Sequence, residues 1–585
     1  MAKRWCIHSH DSERIAALQH AAGVPAVVAQ LLICRGISDP TQARQFLDPK
    51  LSALHDPELL PNCLQAAQHI REAIQAGRRI VVYGDYDVDG MTGTALLRQC
   101  LKLLGADVDY YIPNRLDEGY GLNHEAIRSL AAQKAQLLVT VDCGIGSVEE
   151  AVTVRQCGLD LIVTDHHEPG LVLPEALAIV HPRLPGHKYP CPSLSGSGVA
   201  FKLAWALCQQ ASGAKKVSEA LRTFLVQAVG LAALGTVADV VPLVDENRAI
   251  VADGLKKSLK LCAPLGLTVL MRLAELDGRD TLAAEDVAFS IAPRLNAAGR
   301  LGQARLAVEL LTTDRPDRAE ELAQYLNQLN ANRQTLERSI YLAAHKQIKE
   351  RFDPENDAAL VVAQHGWHPG VIGIVAGKLA EKYHRPVVLI AWDEMGVKPG
   401  IGSARSVPGL NLYRALEACR EHLVSHGGHA AAAGLTIEEQ RLEAFLEDFC
   451  EHVAAEVSEE DRVAELRIDA EVPLSSLTGE VIQLIERLAP FGAGNARPLF
   501  STSSVALANP PKSMGSDGRH LSMTLVQHGV GLRAVAFGGG DWAEELSALD
   551  GPIDVAFRPV INTFRGRRNV ELHLVDWRRS KAGCG

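Results

Sequence analysis

The sequence predicts an α/β protein: two α/β lobes joined by one long helix, then a C-terminal region of mostly β structure. Three observations carry this. From about 56 to 212, buried-type apolar runs alternate with helix-like segments, the pattern of a parallel sheet covered on both faces. From Glu320 to Arg351 a periodic polar-to-apolar segment runs without Gly or Pro, which predicts a connecting helix. Between 463 and 577 there are many short alternating runs such as Leu521-Ser522-Met523-Thr524-Leu525-Val526, which predict a small barrel or sandwich.

In order along the chain, residues 1–55 form an N-terminal extension of short helical patterns, broken at Asp39-Pro40 and Asp48-Pro49. The first lobe spans 56–319, and from Val217 to about Leu311 it reads as mainly helical. The connecting helix occupies 320–351. A second α/β lobe, 352–457, opens with the strand Ala359-Leu360-Val361-Val362. A charged stretch around Glu456 to Arg462 separates it from the β region at 463–577.

At 585 residues the chain is too long for a single core, and 47% hydrophobic content places it among globular proteins. No uninterrupted apolar run reaches the roughly 20 residues of a membrane span, and no signal-type apolar block follows Met1, so a cytoplasmic location is expected. The 12 cysteines include no C-x-x-C pair, which argues against a zinc ribbon or a disulfide framework. The formal net charge of −11 weighs against a nucleic-acid partner only in part. Carboxylates gathered around cations would account for some of the excess.

Such carboxylates stand at four stations, each just after an apolar run. Asp85, Asp87 and Asp89 follow Ile80-Val81-Val82-Tyr83; Asp142 follows Leu137 to Val141; Asp165-His166-His167 follows Leu161 to Thr164; Asp239 follows the apolar stretch around Leu231 to Ala238. In an open parallel sheet the carboxyl ends of strands share one edge, so distant stations meet there. Two carboxylates about 4 Å apart repel by roughly 4 kcal/mol near a protein surface, so a cluster of five needs a cation. An oxygen-rich set with one or two imidazoles suits Mg²⁺ or Mn²⁺, with a slight preference for manganese.

Each station also has a plain structural reading. A lone Asp after a strand serves as a turn former or a helix N-cap. A calcium loop starting at Asp85 fails because Leu96 stands where the EF-hand glutamate belongs, and the aspartyl-phosphate loop of haloacid dehalogenases fails at Met91. Asp165-His166-His167 alone would be a surface triplet. Joint occurrence in this order favours metal.

The strings Val81 to Gly90, Val141-Asp142-Cys143-Gly144, Thr164-Asp165-His166-His167-Glu168 and Val237-Ala238-Asp239-Val240-Val241-Pro242-Leu243 resemble motifs I to IV of the DHH phosphoesterase superfamily. Pro293 to Arg300, Gly366 to Gly373, Gly402-Ser403-Ala404-Arg405-Ser406 and Gly427 to Gly434 narrow the resemblance to the RecJ family of bacterial single-stranded-DNA-specific 5′→3′ exonucleases, over nearly the whole chain. The resemblance implies an oligonucleotide-binding (OB) barrel at the C-terminus and release of nucleoside 5′-monophosphates by two divalent ions, in DNA repair and recombination. It implies single-stranded DNA as substrate, with single-strand-binding protein and a RecQ-type helicase as partners. A monomer is expected.

Asp87, Asp89, Asp142, His166 and Asp239 are expected as direct ligands. Asp85, Asp165 and His167 are expected as ligands or as groups that orient them. The family resemblance makes Asp142 the bridge between the ions. Asp87, Asp142, His166 and His167 are the candidate catalytic residues, with His166 required in its neutral form and His167 free to touch the scissile phosphate. Arg294, Asn296 and Arg300, expected on a loop between Pro293 and Arg300, are candidate phosphate ligands, with carbonyl capping as the alternative. The resemblance implies that Ser403 and Arg405 hold the 5′-terminal phosphate. Gly427-Gly428-His429 reads as a turn opening a helix whose N-terminus attracts phosphate.

His365 and His368 lack a third ligand and read as a surface turn. Ser195-Gly196-Ser197-Gly198 has too few glycines for a dinucleotide fingerprint and reads as a helix-opening loop. Phe564 to Arg568 and Trp577 to Lys581 offer a basic, aromatic track for a single strand. Two other classes compete: a relative acting on nanoRNA, cyclic dinucleotides or pyrophosphate, and a non-catalytic DNA-binding scaffold. The β region favours a polymer over the small substrates, and the filled acidic stations argue against the scaffold.

Overall fold

The computed structural model describes residues 3–580 except 116–117, 354–355, 395, 397, 459, 516–517, 550 and 565–566. It divides into two compact units. One comprises residues 53–464; the other joins residues 2–52 to 465–585.

The first unit holds two sheets. The first sheet runs Val108–Tyr111, Ile80–Gly84, Leu137–Val141, Asp160–Thr164, Ala178–Val180, all parallel. Ile80–Gly84 and Leu137–Val141 are buried at every residue, which is why both read as unbroken apolar runs. Numbered along the chain, the strand order is 2-1-3-4-5, so the winding direction reverses between Ile80–Gly84 and Leu137–Val141. Such doubly wound sheets place their ligands at that crevice, outside the strand carboxyl ends.

Helices Val88–Leu103, Gly196–Ser212 and Glu219–Ala238 pack on one another in this lobe. Glu219–Ala238 is long and apolar enough for a membrane span, but from Ala228 to Val237 it is buried within the lobe. Ser195 caps Gly196–Ser212 by accepting from Gly198 N, so the Ser-Gly-Ser-Gly segment opens a helix as expected. The connecting helix spans Pro316–Arg351, 36 residues, starting four residues before the expected Glu320 because Pro316 is tolerated in a first turn.

The second sheet is mixed, in the order Leu423–Gly428, Ala432–Ile437, Gly400–Arg405, Val387–Trp392, Leu360–His365. Only its last pair is parallel.

Two local expectations are corrected. Pro293 to Arg300 is helix, Ala292–Arg300, not loop: Pro293 sits in the first turn, where its missing N–H costs nothing, and Gly299-Arg300 close the last turn. Gly427-Gly428-His429 opens no helix. Leu423–Gly428 pairs antiparallel with Ala432–Ile437, and His429 turns between them. The small residues allow close strand pairing there. Gly428 has φ 138°, and a Cβ on it would lie 2.5 Å from Ala433 Cα.

In the second unit, Phe500–Leu507, His520–Gln527, Val530–Ala536, Ile553–Phe564 and Arg567–Arg579 close into a five-stranded ring of order 1-2-3-5-4-1, with the 3–5 pair parallel. This is the expected OB topology. Residues near the N-terminus belong to the same body. Arg4–Ile7 pairs in parallel with Glu465–Ile468, and Ile15, Leu18, Leu31 and Leu32 share one core with Phe500, Val555, Phe557 and Leu572. The expected break at Asp39-Pro40 separates helices Ala26–Cys34 and Pro40–Leu47, and Asp39 caps the second.

Two residues of the C-terminal basic track are committed to packing, while Arg568 and Arg579 are exposed. Arg578 Nε donates to Asp554 Oδ2 at 3.1 Å and its guanidinium lies 4.3 Å over Trp5, while Trp577 packs against the core. Arg565, Gly566 and Lys581 lie outside the described residues.

Candidate metal centre and its arginine wall

The acids collect at the reversal point of the first sheet. Asp85 leaves Ile80–Gly84, and its backbone N donates to Val141 O at 3.2 Å, tying the two strand ends together. Asp142 leaves Leu137–Val141 with φ 65°, a left-handed conformation that costs a non-glycine residue and marks functional sites. Asp87 caps Val88–Leu103, its Oδ1 accepting from Gly90 N at 3.1 Å, so the cap and the site share one side chain. Asp89 lies in the first turn of that helix, fully buried, and accepts from Gly196 N at 2.6 Å and Ser197 N at 3.0 Å. Asp239 ends Glu219–Ala238.

His166 Nε2 lies 3.0 Å from Asp142 Oδ1, 3.5 Å from Asp239 Oδ2 and 3.9 Å from Asp89 Oδ2. Three interlocking triads result, each with ligand atoms within 4.8 Å of one another: Asp85, Asp87 and Asp142; Asp89, His166 and Asp239; Asp142, His166 and His167. Asp142 belongs to two of them. Asp85 Oδ1, Asp142 Oδ1 and His166 Nε2 are buried without any hydrogen-bond partner. Buried polar atoms left unpaired in this way are costly, and here they converge.

Electrostatics agree with a site built for cations. Burial, then Asp87, raises the Asp85 carboxyl well above its ordinary range. Burial, then Asp89 and Asp87, does the same to Asp142. Asp239 is pushed up to about 9 by burial and Asp89, and Asp89 to about 6 by burial and Asp87. His166 is pulled down to about 3 by burial and by His167, so its imidazole is neutral, as a ligand must be. Carboxylate oxygens with one neutral imidazole fit a pair of hard divalent cations.

Asp165 is different. Its Oδ1 accepts from His166 N, His167 N and the His167 ring nitrogen Nδ1, at 2.7, 3.1 and 2.8 Å, and its Oδ2 from Ile145 N at 2.9 Å. Despite complete burial, these bonds bring it down to about 2. It orients the histidines. Burial opposes a charge on His167, but the bond to Asp165 outweighs it and raises His167 to about 9, leaving a cation beside the acids.

Glycines let the cluster close. A Cβ at Gly196 would lie 2.4 Å from Asp142 Oδ1, one at Gly235 2.3 Å from Asp89 Oδ1, and one at Gly299 2.1 Å from Tyr86 O. Sequence reasoning gives none of the three this role, although Gly196 lies in the Ser-Gly-Ser-Gly segment that opens a helix and Gly299 in the Pro293 to Arg300 segment read as a loop. It also misses Tyr120, whose hydroxyl reaches Asp142 O at 3.2 Å and His167 Nδ1 at 3.0 Å, and Arg115, whose guanidinium lies 5.0 Å over the Tyr86 ring.

Arginines face the acids. Arg300 is held down to about 10 by burial and by Arg115, Arg333 and Arg405, with Asp87 opposing, so these groups surround one space. Arg405 Nη1 donates to Ser403 Oγ at 3.1 Å. The helix that meets this space is Pro369–Tyr383. A Cβ at Gly370 would lie 2.3 Å from Arg300 O, and one at Gly373 2.9 Å from both Arg405 Nη2 and Ser403 Oγ. The helix N-terminus expected after Gly428 is thus found here instead, while Gly428 and His429 are exposed on the hairpin.

Asn296 Oδ1 accepts from Val88 N at 3.2 Å, fastening its helix to the acidic loop. Arg294 donates to Asn327 Oδ1 and Ser290 O at 2.9 and 2.6 Å, the carbonyl-capping alternative. His368 caps Pro369–Tyr383 through Nδ1, whereas His365 is the exposed last residue of the strand Leu360–His365, paired with Trp392, and not part of a turn.

Similarity to known proteins follows the same division. Residues 79–236 match the DHH family N-terminal domain, 356–455 the DHHA1 domain and 468–576 the RecJ OB domain. The chain is 38% identical over 575 residues to the single-stranded-DNA-specific exonuclease RecJ of Bacillus subtilis, covering 98% of this chain and 70% of that protein. It is 34% identical to RecJ of Escherichia coli over 95% of this chain and 96% of that protein. The crystal structure of RecJ from Thermus thermophilus in complex with Mn²⁺ superposes with a TM-score of 0.83 at 34% identity, over 99% of this chain and 80% of that one. The Mg²⁺ complex gives 0.77 at 33% identity, over 99% and 79%. The chain belongs to the RecJ family of DHH proteins, the single-stranded-DNA-specific exonucleases.

Proposed function

We propose that this protein is a 5′→3′ exonuclease that hydrolyses single-stranded DNA with two divalent ions, Mn²⁺ or Mg²⁺, and releases nucleoside 5′-monophosphates during DNA repair and recombination. The observation that carries this is the convergence of three unpaired buried atoms, on Asp85, Asp142 and His166, inside interlocking ligand triads. Asp85, Asp87 and Asp142 would hold one ion, and Asp89, His166 and Asp239 the other, with Asp142 shared. When bound, the pair supplies Lewis-acid chemistry for in-line displacement at phosphorus by water.

The chain's own groups do the rest. Asp165 holds His167 protonated beside the acids, where the imidazolium can meet a phosphate oxygen. Arg300, Arg405 and Ser403 bind phosphate, with Arg405 and Ser403 taking the 5′-terminal group, and the Pro369–Tyr383 N-terminus adds backbone donors. Asn296 positions the acidic loop. The cation-rich and acid-rich walls together fix the strand so that its first phosphodiester bond meets the acids. The OB barrel binds the strand further along. Single-strand-binding protein and a RecQ-type helicase are the proposed partners of a cytoplasmic monomer.

End-labelled single- and double-stranded DNA and RNA, incubated with Mn²⁺ or Mg²⁺, test this reading. Loss of a 5′ label as mononucleotide from single-stranded DNA is expected. Trimming from the 3′ end first, or wild-type rates from Asp142→Ala, would overturn it.

A further inference from the structure

Val108–Tyr111 is an edge strand of the first sheet, and its Tyr110 ring carries two guanidiniums. The Arg98 guanidinium carbon lies 5.3 Å from the ring centroid and that of Arg305 5.8 Å. Among the described residues neither makes an ion pair. The nearby carboxylate of Glu309 is taken by Arg318, Nε to Oε1 at 2.7 Å and Nη2 to Oε2 at 3.0 Å. Arg98 Nε is buried with no acceptor, whereas Arg305 is exposed.

The segment that carries Arg305 also carries Arg300, a cation near the acids. Arg300 feels the charge of Asp87, and Arg305 lies five residues further along the same segment. Midway, a Cβ at Gly302 would lie 3.0 Å from Asn114 Oδ1, and Asn114 precedes Arg115, the cation over Tyr86. Arg300 and Arg305 thus flank Gly302, which packs on the segment carrying Arg115, and Arg305 shares the Tyr110 ring with Arg98. Stacking on a ring uses the face of a guanidinium, is worth about 0.5–1 kcal/mol at an exposed site, and leaves the in-plane N–H donors for a phosphate. Two cations on one ring without a carboxylate are an arrangement that an anion completes.

We propose that Arg305 and Arg98, set on Tyr110, form a phosphate track for the single strand outside the catalytic cleft, along the edge of the first sheet. The track rests on the exonuclease reading and extends it. It binds the sugar–phosphate backbone, without base preference, several nucleotides away from the bond that is cut.

The test uses full-length Arg305→Glu and the double variant Arg98→Gln/Arg305→Gln. Binding of a 5′-phosphorylated trinucleotide and of a strand about 24 nucleotides long is measured in EDTA across a salt series, with trinucleotide cleavage followed in Mn²⁺. Removing one cation that neutralises a single-strand phosphate lowers the salt slope by about 0.7. Arg305→Glu should weaken the long strand about tenfold at low salt and flatten its slope by roughly that amount or more. Trinucleotide binding and cleavage should stay within about twofold of wild type. An unchanged long-strand affinity and slope overturns the track. So does equal weakening of both lengths with a lower melting temperature, which would make the stack a cover for the sheet edge. An acidic peptide that binds wild type but not Arg305→Glu, with DNA affinity unchanged, overturns it in favour of a protein partner. If wild type neither binds nor cuts the strand, the exonuclease reading has failed first, and the two failures are distinguishable.

Discussion

The two sheets of the 53–464 unit handle charge in opposite ways. The first, parallel and buried on both faces, gathers carboxylates with almost no solvent: Asp85, Asp89 and Asp142 are 4%, 0% and 2% exposed. The second, mixed and partly open, offers Ser403 and Arg405 half-buried on a strand, backed by glycines. Buried like charges must be neutralised by something the chain does not contain, whereas half-buried cations can wait in water for a phosphate. The first arrangement therefore suits a metal, and the second an anion.

The largest break in this contrast comes from Asp142, the residue common to two triads. Asp142→Ala should reduce single-turnover cleavage by about 10³-fold, at the upper end for deleting one preorganised charge stabiliser. Its metal-free melting temperature should not fall in proportion, because one repelling buried carboxylate has also gone. Single-turnover kinetics in Mn²⁺ alongside thermal melts in EDTA would show both effects. Gly196→Ala approaches the same carboxylate from outside, placing a Cβ 2.4 Å from Asp142 Oδ1. Weaker Mn²⁺ binding by about 10–100-fold is expected, the usual cost when a group supporting a ligand is disturbed. Unchanged Mn²⁺ affinity would mean that Asp142 does not need its present position.

Arg405→Ala tests the other side. A hydrogen bond to a charged group is worth about 1.5–3 kcal/mol, so KM for 5′-phosphorylated strands should rise about 10–100-fold. Strands with a 5′ hydroxyl should be nearly unaffected. Equal losses on both ends would show that Arg405 supports the lobe rather than reading the phosphate.

How much of this was legible in sequence depended on whether the signal was local. Asp85, Asp142 and the Asp165 triplet follow apolar runs, and a buried parallel strand leaves that mark, so their convergence could be expected from topology. The long helix Pro316–Arg351 was legible for a similar reason, having no Gly or Pro after its first turn. Residues 2–52 gave no such mark, because their core partners lie more than four hundred positions away, at Phe500 and beyond. Gly427-Gly428-His429 misled because glycine before alanines opens helices as readily as it permits close strand pairing. Pro293 and Gly299 misled as loop residues, when one starts a helix and the other lets it touch Tyr86. For Asp165 the choice between ligand and orienting group could not be read, since its four donors include Ile145 N, which only the fold brings near.

The smallest expected effect separates the two sheets by pH. In the metal-free protein, Asp239 sits at about 9 and Asp89 at about 6, both above their unfolded values near 4. The folded form therefore binds more protons than the unfolded chain between roughly pH 4 and 9. The stability these groups contribute is present at the acid end of that window and is lost as pH rises through the folded values. The melting temperature in EDTA should accordingly fall by a few degrees between about pH 6 and 9, and Asp239→Asn should flatten that slope. Mn²⁺ should raise the melting temperature more at about pH 9 than at pH 6, because the cation then meets carboxylates already ionised. Arg405→Ala, on the second sheet, should leave the slope as it is. A slope equally sensitive to Arg405 and Asp239 would mean that the charges of the two walls are coupled, with the substrate side helping to hold the acids ionised before any metal arrives.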